Sequence, residues 1–350
     1  IQAAQFADCM GAKAPECTEA NFNPIGTGPF KVVEFRPNDV ITMAANENFR
    51  HEGKPAFATL TFKGGGDATA AGRAVLETGV AIAGFGPLVE RLEMNMTNPS
   101  PDLPAETRST VAEPHPFLSD IKVRTALSMA IDRDLLTEVG YGKAGTPTCN
   151  LVPAPAIYNS DNTECLTQDI AGANALLDEA GWADSDGDGV RDKDGVKLSI
   201  LYQTSTNAVR QDFQALIKDW WSQIGVETEL RNLDASVFFG GDPGSPDTFQ
   251  KFYADVEMYA NTFNGTDPQA YLSAYRCGNE PKPSSQWQGE NINRFCDPAY
   301  DALLDELAQT GDLDKRGEIG RKLNDMMTKD SMVIVPLVNR ARVSAHANSL

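Results

Sequence analysis

Between residues 196 and 233 the apolar period switches from two to 3.6 and back to two, a pattern that suits a parallel α/β sheet. VKLSILYQ (196–203) sets Val196, Leu198, Ile200 and Tyr202 on one strand face. Residues 207–225 then carry Val209, Phe213, Leu216, Trp220 and Ile224 on one helical stripe. VETELRNL (226–233) resumes strand alternation with Val226, Thr228 and Leu230. Strand, helix, strand in that order implies a right-handed crossover, so the two strands are expected side by side or nearly so.

The rest of the chain is read against that unit. FKVVEF (30–35), VITMAAN (40–46) and FATLTF (57–62) are short strands parted by turn residues such as Pro37-Asn38-Asp39. GGGDATAAGRAVLETG (64–79) reads as a glycine loop entering a helix capped by Asp67 or Thr69. It lacks the Lys-Ser/Thr that a nucleotide phosphate loop requires. Residues 120–140 predict one helix with Ile121, Leu127, Ile131, Leu135 and Val139 inward, and 169–181 another with Ile170, Ala173, Leu176, Leu177 and Ala180. Asp297-Pro298 supplies an N-cap and a first-turn proline for Tyr300, Leu303, Leu304 and Leu307. Asp314 is expected to start the next helix, with Ile319, Leu323, Met326 and Met327 inward, and MVIVPLV (332–338) to follow as an apolar strand. The Pro-rich stretch 98–116 reads as a connection between two lobes.

With 350 residues and 41% apolar content the chain is long enough for two lobes. No stretch approaches the roughly 18 apolar residues of a membrane span. The opening IQAAQFADCMGAK has neither the basic start nor the apolar run of a signal peptide, so any export signal is expected upstream of Ile1. Thirty basic residues against 49 acidic ones give a net charge of −19. Nucleic acid and anionic membranes both need clustered Lys or Arg, so neither is an expected partner. The six cysteines fall as three local couples, Cys9 with Cys17, Cys149 with Cys165 and Cys277 with Cys296. An even count in short loops suggests disulfides and an oxidising compartment, while tight pairs or nearby histidines for zinc are missing.

The three histidines, His51, His115 and His346, stand apart from any cysteine or carboxylate motif. No nucleophile elbow, zinc helix or dinucleotide fingerprint occurs, which points to binding rather than catalysis. DSDGDGVRDKDG (184–195) has the spacing with which an oxygen-rich loop wraps Ca²⁺: Asp184, Asp186, Asp188, the Val190 carbonyl and Asp192. The twelfth position is Gly195 rather than a bidentate Glu, with Asp194 or water as the substitute. The loop is therefore either a structural calcium site or an acidic turn before the strand at Val196. In YANTFNGTDPQAYLSAY (259–275) aromatic rings mix with amides, as suits a cleft that grips a polar ligand.

Five ordered segments resemble the peptide/nickel-type (family 5) extracytoplasmic solute-binding proteins of ABC importers. They are IGTGPFKVVEFRPNDVITMAANENF (25–49), HPFLSDIKVRTALSMAIDRDLL (115–136), ANALLDEAGW (173–182), NINRFCDPAYDALLDEL (291–307) and VIVPLVNRARV (333–343). The resemblance implies an exported, periplasmic, monomeric protein with a two-lobed type II periplasmic-binding fold, α/β with mixed sheets flanked by helices. Lobe I would hold 1–98 and 334–350, lobe II 99–333, and closure would trap a solute for an ABC permease without chemistry.

The same resemblance implies a longer chain, with a region before the 25–49 motif, a tail after the last strand and residues missing at Gly79-Val80. It places the ligand against Tyr202, Gln203 and Thr204 at a strand end, Asn261, Thr262, Phe263 and Asn264, and Asn339 with Arg340, whose guanidinium suits a ligand carboxylate. Peptide binders of the family place an Asp where this chain has Asn264, so charge pairing to a peptide amine is lost here. A peptide or similar polar oligomer is the expected solute. Oligosaccharide, opine or metal complex is the alternative, with nickel disfavoured by so few histidines, and a secreted hydrolase is the rival from another class.

Overall fold

The computed structural model describes residues 22–36, 39–63 and 79–347. Cys9, Cys17 and all but Gly79 of the helix expected at 64–79 lie outside them. The chain divides into two units, at Ile82/Ala83 and again at Val343/Ser344.

In the smaller unit β1 (Phe30–Arg36), β2 (Val40–Ala45) and β3 (Thr59–Lys63) form an antiparallel meander. A bulge between Val32 and Glu34 shifts the β1 register. Among the described residues of 22–63 only Val40 and Asn46 are buried, each 9% exposed. Asn46 is held because its amide donates to the Gly28 carbonyl at 2.8 Å and its Oδ1 accepts from the Asn48 N–H. β4 (Gly79–Gly84) pairs with β13 (Arg342–Ala347) where the chain crosses from one unit to the other.

The larger unit is built on one six-stranded mixed sheet. Its strands are β5 (Val89–Met94), β6 (Gly145–Pro147), β9 (Ser199–Ser205), β10 (Glu227–Leu233), β11 (Val256–Asn261) and β12 (Ile334–Arg340), in the order β10-β9-β11-β5-β12-β6. β7 (Asp192–Lys193) and β8 (Val196–Lys197) form a short hairpin ahead of β9. The crossover is as expected: β9 and β10 pair in parallel, from Glu227↔Ser199 to Leu233↔Ser205. The helix between them, α4 (Ala208–Ser222), begins at Asn207, whose side chain accepts from the Arg210 N–H.

The face on the α4 side is apolar. Leu198, Ile200 and Tyr202 of the β9 segment, Val256 and Met258 of β11, and Leu92 and Met94 of β5 meet Phe213, Ile217 and Trp221 of α4. Each such side chain contributes on the order of 1.5–3 kcal/mol by leaving water. Trp221 Nε1 also donates to the Leu127 carbonyl at 3.0 Å, satisfying the one polar atom of the largest buried ring.

The helix expected over 120–140 is two helices, α1 (Ile121–Met129) and α2 (Arg133–Gly140). Asp132 caps the second by accepting from the Leu135 N–H, and the break rotates the buried stripe. Ile121, Leu135 and Val139 are consequently exposed, while Val123, Ala126, Leu127, Ile131 and Leu136 are buried. α3 (Ile170–Glu179) matches its expected span, with Asp169 as cap and Ala173 and Leu177 buried.

A second core lies around α7 (Pro298–Gln309) and α8 (Leu313–Asp325), where Tyr300, Leu304, Ile319 and Leu323 pack against Ile334 of β12. α8 starts one residue before the expected Asp314, because Asp312 caps it by accepting from the Lys315 N–H. Disulfides join Cys149 to Cys165 and Cys277 to Cys296.

The expected lobe boundaries fall at 98/99 and 333/334; the two compact units divide at 82/83 and 343/344. β5 and β12 are neighbouring strands of the larger unit's sheet, so sheet hydrogen bonds hold both segments there. The Pro-rich stretch 98–116 stays inside that unit, closed by a bridge between Thr97 and Pro114, and is not a connection between units.

Candidate functional site

On the face of the sheet away from α4, alternation presents Glu257, Tyr259 and Asn261 from β11 and Arg91 and Glu93 from β5. A pocket of about 660 Å³ opens against the end of β11. Its rings are Phe239, Phe249, Tyr259, Tyr271 and Tyr275, and Asn261 and Thr262 supply polar edges. Phe239 follows the single turn of α5 (Ala235–Phe238), which Asp234 caps by accepting from the Ser236 N–H. Phe239, Phe249 and Tyr259 meet edge to face, with centroids 5.6–6.2 Å apart.

Arg91 organises the tyrosines from behind. It is fully buried and donates to Glu93 Oε1 at 2.6 Å, to the Tyr271 hydroxyl and to the Tyr275 hydroxyl at 2.7 Å. Its guanidinium carbon also lies 5.3 Å from the Tyr259 ring centre. Burial works to strip its charge, but Glu93 and the three tyrosines outweigh it and hold the guanidinium charged. The two tyrosines come from α6 (Gln269–Leu272) and the turn after it. The loop between β11 and α6 is fixed by Asp267, whose Oδ1 accepts from the Gln269 N–H and whose Oδ2 accepts from the Tyr158 hydroxyl at 3.0 Å and Arg316 Nε at 2.8 Å.

Glu257 sits directly across from Glu93 in the β11–β5 register and is fully buried. Gln203 Nε2 donates to its Oε1, while Oε2 of both glutamates lacks a hydrogen-bond partner. Burial pushes the Glu257 carboxyl well above the ordinary carboxylate range, the Gln203 bond offsetting only part.

The residues expected at the site separate. Asn261 and Thr262 line the pocket, and Phe263 tilts over Tyr271 at 5.6 Å. Asn264 is exposed and contributes no lining. Tyr202 points into the apolar core with its hydroxyl 3.0 Å from the Met258 sulfur, Gln203 is buried on Glu257, and Thr204 donates to the Met258 carbonyl at 2.6 Å. None of these three lines the pocket. Asn339 donates to the Gly86 and Leu88 carbonyls, and Arg340 donates to the Tyr141 hydroxyl at 3.3 Å and lies 3.7 Å from Glu90 Oε2. Glu90 is already paired with Arg210 at 2.7 Å, so the Arg340 group forms a separate cluster.

Carboxylate oxygens of Asp184, Asp186 and Asp188, all exposed, converge within 4.8 Å of one another. Lys197 is ion-paired to Asp186 at 3.1 Å and to Asp188, and supplies positive charge to that cluster. Asp192 turns instead to Ser185, accepting from its hydroxyl at 2.7 Å and from its N–H at 3.0 Å. The backbone N–H of Val190 donates to Asp188 at 2.9 Å.

Sequence reading missed Arg91, Glu93, Glu257, Phe239 and Phe249. The available signal was VERLEM (89–94), charges alternating with apolar residues in a strand-length run. Alternation alone does not reveal that the charged face is covered.

Comparison with known proteins adds four findings. The family model described as bacterial extracellular solute-binding proteins, family 5 middle, matches residues 2–282. An oligopeptide-binding protein, AppA of Bacillus subtilis, is 31% identical over 229 residues, 63% of this chain and 42% of that protein. Heme-binding protein A of Haemophilus influenzae is 28% identical over 331 residues, 91% of this chain and 55% of that protein. In structure, AppA from Bacillus subtilis in complex with a nonapeptide superposes with a TM-score of 0.76 at 21% identity, over 99% of this chain and 67% of that one. The chain thus spans about half the length of the curated relatives it matches. Among the described residues no helix is long and apolar enough to cross a membrane.

Proposed function

Since the chain belongs to the family 5 bacterial extracellular solute-binding proteins, we propose that it captures a peptide or similar polar oligomer and presents it to an ABC importer. The observation that carries this reading is the pocket at the end of β11, where aromatic rings, a strand end and polar side chains, Asn261 and Thr262 among them, converge. Rings give contact area at little entropic cost, and Asn261 and Thr262 offer both donors and acceptors to an amide backbone. The relatives named for oligopeptides and for heme bracket the solute class, and the neutral amides and hydroxyls that make up the polar lining apart from Glu290 favour the former. Capture is a population shift driven by differential affinity, so the protein works as a carrier outside the cytoplasm and not as an enzyme.

A thermal-shift screen of the full-length protein against di- to hexapeptides, oligosaccharides and amino-acid derivatives tests the reading. A peptide at 100-fold its Kd stabilises the fold by about 2.7 kcal/mol. A shift with sugars alone replaces the substrate class, and turnover of any bound compound refutes the carrier role.

A further inference from the structure

Resting on that reading, we infer that this pocket selects a positively charged group on an apolar stem, such as a lysine or arginine side chain of the bound solute. The inference comes from a census of charge around the pocket. Glu290 is the one carboxylate on its wall, which holds no Lys, Arg or His; the other polar wall residues are neutral amides or hydroxyls. The Glu290 side chain is exposed and makes no ion pair or hydrogen bond with another described residue, so its charge is uncommitted. The positive charge nearest the tyrosines, Arg91, is fully buried, faces Glu93 at 2.6 Å and has its outer nitrogens occupied by two tyrosine hydroxyls. It is therefore balanced and closed off before it reaches the ligand.

What a ligand group meets is one carboxylate and five aromatic rings. Ring faces carry negative quadrupole potential, which attracts a cation and repels a carboxylate or phosphate. Phe239 and Phe249 cover the methylene stem of such a side chain, whose charged head then reaches toward Glu290 and water. An ammonium here gains cation–π attraction and a screened ion pair together, whereas an isosteric alkyl group gains only burial.

Calorimetric titration of the full-length protein with Ala-Lys-Ala, Ala-norleucine-Ala and Ala-Glu-Ala tests the inference. The lysine probe should bind about 5- to 20-fold tighter than norleucine, the scale of a partly desolvated cation–π contact plus an exposed ion pair. The glutamate probe should bind weakest. E290Q should reduce the lysine-over-norleucine ratio by about two- to fivefold, the share of the exposed ion pair, and raised salt should reduce it in the parent protein. If norleucine binds as tightly as lysine, or E290Q leaves the ratio unchanged, charge selection is wrong while capture of peptides stands. If none of the three peptides binds, the peptide reading falls and the charge selection falls with it.

Discussion

The two faces of the central sheet are cut from the same strands and solve opposite problems. Toward α4, Leu92, Ile200, Tyr202 and Met258 bury apolar surface among apolar neighbours, and area is the currency of that face. Away from α4, the alternate residues Arg91, Glu93, Gln203 and Glu257 bury charge and amide groups behind the pocket tyrosines. Such a face gains little from area and depends on whether each polar atom finds a partner. The difference shows why one strand sequence can carry both a core and a site. The period of two keeps the two sets apart, and each can be broken without the other.

The largest effect should come from the polar face. Arg91→Met leaves Glu93 buried without its cation, expected to cost about 3–5 kcal/mol in urea unfolding. Adding Glu93→Gln to that variant should recover a large part of the loss. If the double variant is no more stable than the single one, the ion pair is not what Arg91 supplies.

Next comes the apolar face. Leu198→Ala should cost about 2–5 kcal/mol through cavity formation, while ligand affinity stays within a few-fold because Leu198 touches no pocket residue. An affinity loss as large as the stability loss would mean that the two faces are coupled.

Glu257→Gln sharpens the comparison through pH. The folded-state carboxyl is raised above its ordinary value of 4.5, so between those two values the folded chain holds a proton that the unfolded chain has released. Wild-type stability contributed by this group is therefore full below about pH 4.5 and declines as pH rises toward the folded value. The glutamine variant removes that decline and lets an amide donate toward Glu93, gaining on the order of 1–3 kcal/mol at pH 7. Equal pH slopes for the two proteins would show Glu257 to be ionised in the fold.

The smallest effect belongs to the exposed loop at 184–192, far from this contrast in character. Lys197→Met should change stability by less than about 1 kcal/mol, since its ion pairs face water. If the three aspartates take up Ca²⁺, the ion must displace the lysine, so the variant should show the larger Tm rise in millimolar CaCl₂ over chelator. No rise in either protein removes the calcium reading.

Local grammar made much of this molecule legible. Asp297 announced a helix start that the structure has, because a cap needs only the next three residues, and the ranges expected from 207 and 169 prove to be capped by Asn207 and Asp169. The break at 130–132 was not legible: Asp132 fits a helix interior by pattern, yet its side chain caps a second helix by accepting from the Leu135 N–H. Asn261 and Thr262 emerged from their neighbourhood of rings and amides, whereas Arg91 is 180 positions from the Tyr271 that it anchors.

The sequence by itself determined the periods, the caps and the strand–helix–strand unit, and hence the α/β architecture, since these depend on residues a few positions apart. Only the tertiary structure decided that β5 lies between β11 and β12, and with it which charges are buried, which tyrosines meet and where the pocket opens. Burial and electrostatic partnership are set by strands that meet across long loops, and no local period encodes which strand becomes the neighbour of which.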